Sequence, residues 1–375
     1  MTGFVFAEKP IQIERGEGVY VYDADGTEYL DFGASYACAP LGHCHPEVLS
    51  ATTEQLQDLF YIQASYPNSV RTALYNQLAA VAPGEINNVW LCNSGTEANE
   101  AGLKFARHAT GRSKIISTMR GFHGRTMGSL AATWKNEYRD GFEPLASDFA
   151  FVPYGDEDAM IEEIDADTAG VILEPVQGEG GIHQPDSSYV QAVREATDDV
   201  GAALILDEIQ TGLGRTGTMW ATEQADVVPD ILTTAKGLAS GLPMGATLVR
   251  DWIAEDAGSH ASTFSGGPAI CAAAGTTVSI IERDNLPDHV ADVSEYLLTA
   301  LHTRLGDEVR DIRGSGLMVG IEVRRGANTI LRDLALNHQV LALPAGRSVV
   351  RLLPPLVITE AHVESVIDAL EAVIG

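Results

Sequence analysis

Lysine is scarce in this 375-residue chain, which holds only five, at positions 9, 104, 114, 135 and 236. Acids outnumber bases by 52 to 24, and the formal net charge is −28. Such an excess repels itself unless salt screens it, and in molar salt the Debye length falls to about 3 Å. The composition therefore predicts a halophilic protein of a salt-rich cytoplasm and disfavours nucleic-acid binding, which needs a basic face. A binder of basic partners is the alternative, and the scattering of the acids along the chain disfavours it.

Cysteine pairs, export signals and long apolar runs are also lacking. The four cysteines form no C-x-x-C pair and no metal-ligand spacing, which fits a reduced compartment; they are Cys38, Cys44, Cys92 and Cys271. The start, MTGFVFAEKP, has neither a basic nor an apolar signal region, and no stretch of 18 apolar residues occurs. We therefore expect an unexported, cytoplasmic protein.

What the chain does have is enough apolar sequence for a large core, with 45% hydrophobic residues. Alternation on both sides of an Asp-Gly turn predicts a hairpin from Gly18 to Phe32. From about residue 47, short apolar runs alternate with helix-length segments, which predicts a mostly parallel sheet with helices on both faces. The predicted strands are INNVWLCNSG, SKIISTM, DFAFVPY, TAGVILEP, AALILDE, DILTTAK and ATLVR, and TEANEAGLKFARHATG is a helix that ends at Gly111.

The pattern of predicted strands and helices changes near residue 285, which predicts a second structural unit. GGPAICAAAGTTVSIIERDNL indicates a long helix leading out of the main sheet, and LMVGIEV and SVVRLLPPL indicate strands of another sheet. The last helix starts after Thr359 as N-cap and carries its apolar residues on one face. We expect an α/β protein in which residues 47–284 form the large domain, while residues 1–46 and 285–375 together form a smaller α+β domain.

The stretch ALILDEIQTGLGRTG combines a strand that ends in two acids with a G-x-G-x-x-G pattern. In a nicotinamide-binding fold the strand would run directly into the first glycine, whereas here DEIQT intervenes and no good helix follows. A nicotinamide dehydrogenase is therefore disfavoured. Open α/β sheets bind ligands at the carboxyl ends of their strands, where Asp207 is expected, and a desolvated carboxylate needs a cationic partner. A simple cap of the following segment is the alternative for Asp207.

Three further segments carry groups that suit a cofactor. Lys236 follows the strand DILTTA in a chain that otherwise uses arginine, and an amine can form a Schiff base where arginine cannot. Gly95 and Thr96 lie between a strand and a helix N-terminus, which is an anion site. Phe122 offers a flat face, and Arg125 is close to it in the sequence. The alternatives are that Lys236 is a surface lysine and that the Gly95–Thr96 segment is a simple capping loop. Phe122 could instead be a core residue, and Arg125 a surface cation.

These groups together suit pyridoxal 5'-phosphate. The acid can pair with its ring nitrogen, the amine can bind its aldehyde, the helix N-terminus can bind its phosphate, and the aromatic ring can cover its flat face. The chain resembles, from end to end, the class III (ω-amino) aminotransferases of fold type I. The matching segments in order are LGHCHPE, SGTEANEA, GFHGRT, EPVQGEGG, LDEIQTGLGRTG, AKGLASGLPMGA, STFSGGP and RLLPPLVIT. Within that family the likeness is to N-acetylornithine aminotransferases and to relatives that take substrates on a LysW-type amino-group carrier protein.

The resemblance implies a role for each candidate residue. Lys236 would bind the cofactor aldehyde and move protons, and Asp207 would pair with the ring nitrogen, an interaction worth about 4 kcal/mol at 4 Å and an effective dielectric of 20. The other cofactor contacts implied are Gly95, Thr96, Phe122, Gln210 and, from the second subunit of a homodimer, Thr263. The substrate contacts implied are Arg351 on the α-carboxylate of glutamate, Glu179 as a switch that pairs with Arg351, and Arg125 with Ser262 at the far end of the donor.

The resemblance implies an aminotransferase that exchanges the terminal amine of an α-blocked ornithine with 2-oxoglutarate and glutamate, in arginine or lysine biosynthesis. The block is an acetyl group or the carrier protein, and the lysine homologue stays open as a second substrate. The alternatives are an enzyme for free ornithine or 4-aminobutyrate, and a binding protein without turnover. Cys44 and Ser265 replace commoner glycines, and the unusual YACAP segment borders the expected substrate pocket. His43 and His45 are expected to be structural, and no metal site is predicted.

Overall fold

The computed structural model describes residues 9–375. Its N-terminal sheet consists of β1 (Ile13–Glu17), β2 (Tyr20–Asp23) and β3 (Glu28–Asp31). Strands β2 and β3 are antiparallel, with Tyr20 opposite Leu30, so the predicted hairpin is confirmed. The short strand β13 (Val340–Leu341) runs parallel to β3, which brings the two ends of the chain into one sheet.

The central sheet has seven strands in the order β4-β10-β9-β8-β7-β5-β6. Only β10 is antiparallel to its neighbours, so the predicted mostly parallel sheet is confirmed. Strands β7, β8, β9 and β10 are buried along their whole length, as expected for a parallel sheet covered on both faces. The bounds are β4 (Asn88–Cys92), β5 (Lys114–Thr118), β6 (Phe149–Val152), β7 (Thr168–Leu173), β8 (Ala203–Asp207), β9 (Ile231–Thr234) and β10 (Gly245–Val249).

Helices connect these strands. Helix α4 (Gly95–Thr110) starts at Ser94 and ends at Gly111, whose φ of 68° is the left-handed conformation that glycine adopts easily. Before the sheet come the one-turn segment α1 (Ala34–Ala37), α2 (Pro46–Asp58) and α3 (Ser69–Val81). The remaining helices of this part are α5 (Met127–Ala131), α6 (Asn136–Arg139), α7 (Glu157–Glu163), α8 (Ser187–Val200), α9 (Asp251–Glu255) and the predicted long helix α10 (Pro268–Arg283).

The C-terminal sheet is antiparallel, with the order β11-β12-β15-β14. It consists of β11 (Asp311–Ser315), β12 (Met318–Glu322), β14 (Leu343–Ala345) and β15 (Val349–Leu352), with α11 (Leu286–Leu305), α12 (Ala327–Asn337) and α13 (Glu360–Ile374) around it. Both strands predicted here and the final helix are confirmed. The predicted boundary at residue 46 falls on the first residue of α2, and that at residue 284 falls between α10 and α11. The division into two domains stays a prediction.

The GLGRTG segment is a turn that joins the central and C-terminal sheets. Gly214 and Gly217 have φ values of 87° and 90°, which glycine adopts easily, and the Gly217 N–H donates to the Gly214 carbonyl at 3.1 Å. The Arg215 guanidinium is buried and donates to the Leu317 and Pro354 carbonyls, while the Arg215 carbonyl accepts from the Leu317 N–H at 2.9 Å. The glycine pattern therefore serves the contact between two sheets.

Within residues 9–375, no helix combines the length and the apolar character needed to cross a bilayer. The four cysteines are all free thiols. The first eight residues, which make up most of the segment on which the absence of a signal peptide was predicted, lie outside the described part of the chain.

Candidate functional site

The candidate site lies at the carboxyl edge of the central sheet, where β8 ends in Asp207. The carboxylate is buried, with 4% exposure. Its Oδ2 accepts from Asn99 Nδ2 at 2.7 Å and lies 2.8 Å from His123 Nδ1, and its Oδ1 accepts from the Ile209 N–H at 3.1 Å. Asp207 thus does more than cap the next segment, because two side chains from other elements hold one of its oxygens.

Asn99 and His123 were not predicted from the sequence. Asn99 lies on the buried face of α4, where Nδ2 also donates to the His123 carbonyl and Oδ1 accepts from Thr233 Oγ1 at 2.7 Å. An asparagine on the otherwise apolar face of a helix was the available signal, since a fully buried amide needs partners. His123 Nε2 is buried and has no hydrogen-bond partner among the described residues.

Lys236 lies beside Asp207 at the same edge of the sheet. Asp207 is paired with Thr233 in the neighbouring parallel strand β9, and Lys236 follows three residues later. Its backbone φ of 35° is unusual for a residue with a side chain. Burial lowers the pKa of the Lys236 amine, an effect that the Glu179 and Asp207 carboxylates oppose and that Arg351 reinforces. A lowered pKa favours the neutral amine, which is the nucleophilic form.

Residues 94–96 form the start of α4. Ser94 Oγ accepts from the Glu97 N–H at 3.3 Å, and Glu97 Oε2 accepts from the Asn93 N–H at 2.8 Å. A side chain at position 95 would place its Cβ 2.8 Å from Ile209 Cδ1, so glycine lets Ile209 pack against the loop. The backbone N–H groups of a helix N-terminus suit a phosphate.

Thr96 connects this helix start with the segment that contains Phe122. Its Oγ1 lies 2.7 Å from Thr126 Oγ1 and accepts from the Arg125 N–H at 3.3 Å. Gly124, with φ of 140°, passes so close that a Cβ there would lie 2.4 Å from Thr96 Oγ1. The two loops can therefore meet only because residue 124 is glycine.

Glu174 holds the Phe122 segment through backbone hydrogen bonds and is the third of these groups that was not predicted from the sequence. Its Oε1 accepts from the Phe122 N–H at 2.9 Å, and its Oε2 accepts from the Gly178 N–H at 3.2 Å. Burial raises the pKa of Glu174 to about 7. The Phe122 ring is half-buried and meets the Tyr138 ring edge-on, with 5.7 Å between centroids.

Arg351 reaches the site from the C-terminal sheet. The side chain is fully buried, its Nη1 donates to Gln210 Oε1 at 3.1 Å, and its Nη2 lies 2.7 Å from Glu179 Oε1. Tyr36 lies over the same guanidinium, with 5.6 Å from Cζ to the ring centroid. The structure thus brings together Arg351, Glu179 and Gln210, all of which were predicted as site residues.

Three predicted residues lie further out. Ser262 Oγ accepts from Asn93 Nδ2 at 3.1 Å, and the exposed Arg125 stacks on Tyr138 with 4.0 Å from Cζ to the centroid. Thr263 is exposed, and its carbonyl accepts from the Tyr61 hydroxyl. Within residues 9–375 the Thr263 side chain makes no hydrogen bond to the Gly95–Thr96 loop. Its predicted contact with the cofactor of a second subunit stays a prediction.

The histidine pair after β3 has a structural environment. His43 Nε2 lies 2.8 Å from Asp31 Oδ2, and His45 precedes the first residue of α2. Over the described residues, no cluster of three or more His, Cys, Asp and Glu side chains could hold a metal ion.

The arrangement of these groups fits pyridoxal phosphate by its chemistry. A buried carboxylate can hold a proton on a ring nitrogen, an amine with a lowered pKa can bind an aldehyde, and a helix N-terminus can bind a phosphate. Glycine at position 95 lets Ile209 pack against the start of α4, and glycine at position 124 lets the loop after β5 approach Thr96. Asp207, Lys236 and the Gly95–Thr96 loop lie around one edge of the sheet, as this fit requires.

Comparison with known proteins agrees with this chemistry. The family described as "Aminotransferase class-III" matches residues 6–374. The chain is 44% identical to the acetylornithine aminotransferase of Methanopyrus kandleri, over 98% of this chain and 96% of the relative. It is 40% identical to the [LysW]-aminoadipate semialdehyde/glutamate semialdehyde transaminase of Sulfurisphaera tokodaii, over 97% and 95%. The ornithine aminotransferase of Toxoplasma gondii, whose structure shows partial occupancy of pyridoxal phosphate, matches with a TM-score of 0.94 and 30% identity, covering 99% and 92% of the two chains.

Proposed function

Because this chain belongs to the class III aminotransferases, which are pyridoxal-phosphate enzymes, we propose that it transfers the terminal amino group of an ornithine with a blocked α-amine to 2-oxoglutarate. The reverse transfer, from glutamate to the semialdehyde, is the same reaction in arginine or lysine biosynthesis. Relatives at about 40% identity that act on acetylornithine and on LysW-linked semialdehydes support this choice of substrate.

The observation that carries the proposal is the ion pair between Arg351 and Glu179. The Arg351 guanidinium is fully buried, and Glu179 neutralises it. An amine-bearing chain whose carboxylate lies far from the reacting end can enter while this pair is intact. Glutamate brings its own α-carboxylate, which can take the place of Glu179 and bind the guanidinium in a bidentate way. One site therefore accepts both kinds of substrate in turn.

The residues of the chain have separate tasks in this reaction. Bound pyridoxal phosphate supplies the electron sink that stabilises charge at the carbon next to the transferred nitrogen. Asp207, held by Asn99 and His123, keeps a proton on the ring nitrogen. Lys236 would hold the cofactor through its amine, and the same amine, when free, would take a proton from the substrate carbon next to the transferred nitrogen. Phe122 covers one face of the ring, and the Gly95–Thr96 loop holds the phosphate.

A homodimer with shared sites belongs to the same proposal. Thr263 is exposed, as is its neighbour Phe264 at 67%, and Phe264 contacts Tyr61 with 5.5 Å between ring centroids. An exposed phenylalanine packed on a half-buried tyrosine, beside a predicted cofactor contact, suits a surface that a second copy covers. A LysW-type carrier protein is the proposed macromolecular partner, supported by the names of two relatives.

The test is a comparison of turnover with free ornithine, N-acetylornithine and carrier-linked ornithine, each with 2-oxoglutarate at high salt. We expect blocked ornithine to have a higher kcat/KM than the free amino acid. A preference for free ornithine or 4-aminobutyrate would overturn the substrate and leave the reaction type standing. Glu179→Gln provides a control, because an unneutralised Arg351 should select against the amine donor and leave the half-reaction with glutamate largely intact.

A further inference from the structure

Arg313, Gly320 and Arg351 form one row across three neighbouring strands of the C-terminal sheet. Arg313 on β11 is opposite Gly320 on β12, and Gly320 is opposite Arg351 on β15. Residues directly opposite each other in antiparallel strands point their side chains to the same face of the sheet. The two arginine side chains therefore leave the same face, and the glycine leaves a gap between them.

The loop that carries Glu179 lies on this row. Ile182, which ends the loop, packs into the gap, because a Cβ at position 320 would lie 2.9 Å from Ile182 Cβ. The Ile182 side chain is buried, and its backbone φ of 58° is unusual for a β-branched residue. Such a conformation persists only where the surrounding contacts impose it. The C-terminal sheet therefore fixes the end of the loop in one position.

Arg313 holds the same loop through its backbone. The Arg313 Nε donates to the Gly181 carbonyl at 2.9 Å and to the Ile182 carbonyl at 3.0 Å. Its Nη1 donates to Asp311 Oδ2 at 2.5 Å and to Glu322 Oε2 at 3.0 Å. The guanidinium is thus fixed to the sheet by two carboxylates and to the loop by two carbonyls.

Glu179 lies within a turn of only five residues, 178–182. The Gln177 N–H donates to the His183 carbonyl at 2.8 Å, which closes the turn at its base. Glu179 Oε1 lies 2.7 Å from Arg351 Nη2. Because the turn is so short, movement of its last two residues would change the distance between the two charges of this ion pair.

The ion pair is also the contact that glutamate must break. The α-carboxylate of glutamate reaches the guanidinium of Arg351 only after it displaces Glu179. A carboxylate on a loop that is already ordered loses little conformational entropy when it forms the pair, so it is harder to displace than one on a loose loop. A buried guanidinium without its carboxylate is unfavourable until another anion arrives. Release of the loop should therefore favour the dicarboxylate substrate over the amine.

We propose that Arg313 is a positioning residue for the Glu179–Arg351 ion pair and thereby sets the preference of the site between its two kinds of substrate. The inference rests on the proposed function, since it concerns how that site alternates between an amine and glutamate. With the loop held, Glu179 neutralises Arg351 and the amine donor can bind. With the loop released, Arg351 is more readily available to a substrate carboxylate.

The experiment compares Arg313→Gln with the parent in both half-reactions of the cofactor-loaded protein. We expect KM to fall for glutamate and to rise for N-acetylornithine, with little change in kcat. The ratio of the two kcat/KM values should shift about three- to tenfold toward glutamate. The Kd of glutarate, which has two carboxylates and no amine, should fall by a similar factor in titration calorimetry.

Three further variants separate the loop contact from charge and from stability. Arg313→Lys keeps the charge and one donor, so it should shift the ratio in the same direction by a smaller factor, and it carries the test if Arg313→Gln does not fold. Asp311→Asn with Glu322→Gln removes both ion pairs of Arg313 but keeps its bonds to the loop, so the ratio should stay within about twofold of the parent. Arg304→Gln is the matched control, because this arginine of α11 is held by three carboxylates of α13.

The outcomes distinguish this inference from the proposed function. An unchanged ratio in Arg313→Gln, an equal loss of kcat/KM with both substrates, or an equal shift in either control would overturn the positioning role. If glutarate binds more tightly to Arg313→Gln as expected but the parent transaminates no ornithine derivative, the proposed function fails and the positioning role stands.

Discussion

Asp207 and Glu208 are adjacent acids at the end of β8, and their side chains have different environments. Asp207 is held by Asn99 and His123, as the cofactor site requires. Glu208 accepts from the Thr222 N–H at 2.8 Å and from the Thr211 hydroxyl, and among residues 9–375 no cation pairs with it. Burial raises its pKa from 4.5 to about 7. Alternation along a strand explains how one acid serves the site while its neighbour lies in the protein interior.

Glu208→Gln should change how stability depends on pH. In the unfolded chain Glu208 loses its proton near pH 4.5, whereas in the folded protein it keeps the proton up to about pH 7. The stability that the protonated Glu208 contributes is therefore fully present below pH 4.5 and is lost as the pH rises to 7. The free energy of unfolding changes by about 3 kcal/mol over this range. We expect the variant to match the parent near pH 4.5 and to be more stable at pH 8, measured by urea unfolding. A constant difference between the two proteins across this range would contradict the prediction.

For single residues, the sequence predicts the side chains expected to contact the cofactor and misses the side chains that hold them in place. Asp207 stands out because an acid ends an apolar strand, and Lys236 because lysine is rare. Asn99, His123 and Glu174 act on Asp207 or on the Phe122 loop from other elements. Which elements meet is decided by tertiary packing, so a local pattern marks only Asn99, as a polar residue on an apolar helix face, and does not show which group it holds.

Among the elements, the loop after β5 packs closely against the start of α4, so a change in one should displace the other. Gly124 has φ of 140°, and a Cβ there would lie 2.4 Å from Thr96 Oγ1 and 2.8 Å from Ser129 Cβ. The start of α4 is the proposed phosphate site, so crowding at Gly124 should be felt as weaker cofactor binding.

Gly124→Ala should therefore weaken pyridoxal phosphate binding by about tenfold or more, because displacement of Thr96 by a fraction of an ångström disturbs the contacts of a helix N-terminus. The measurement is a titration of the apoprotein with the cofactor, followed by absorbance. Gly141→Ala is the control, since Gly141 has a positive φ of 85° with nothing within 4 Å. Equal losses in the two variants would mean that backbone strain, and not the contact with Thr96, is responsible.

Helices and strands are predicted correctly where the segment itself contains an apolar run or a capping residue. All seven strands of the central sheet follow from short apolar runs, and α4 from its caps. The elements that were not predicted include β11, β14 and β13, which is only two residues long, and the turn Ala34–Ala37, where four consecutive residues have positive φ. Left-handed backbone costs roughly 1–2 kcal/mol per residue, and no local preference of Ala, Ser or Tyr indicates it.

For the molecule as a whole, the net charge of −28 is the dominant physical feature. Ion pairs around Arg283, Arg304 and Arg313 hold some of the acids but leave the net charge unchanged, because the −28 already counts these bases. Repulsion among the remaining acids opposes the compact state and is relieved when salt screens it. Adaptation to a salt-rich cytoplasm stays a prediction that rests on this charge.

The melting temperature should rise as KCl is increased from low to molar concentration, by several degrees or more, and scanning calorimetry would measure it. A variant with Glu195, Glu282 and Glu308 replaced by glutamine tests the cause, because these exposed acids form no ion pair within the described part of the chain. It should be more stable than the parent at low salt and gain less from KCl. A parent protein whose stability is indifferent to salt would argue against the charge-based account.

The central claim is that Lys236 and Asp207 together hold one pyridoxal phosphate. The most direct measurement is borohydride treatment of the cofactor-loaded protein followed by peptide mass spectrometry, which locates the lysine that bears the reduced cofactor among the five in the chain. We predict the label on Lys236 alone, and its loss in Lys236→Ala. A label on any other lysine, or a folded protein that takes up no cofactor at all, would contradict the account.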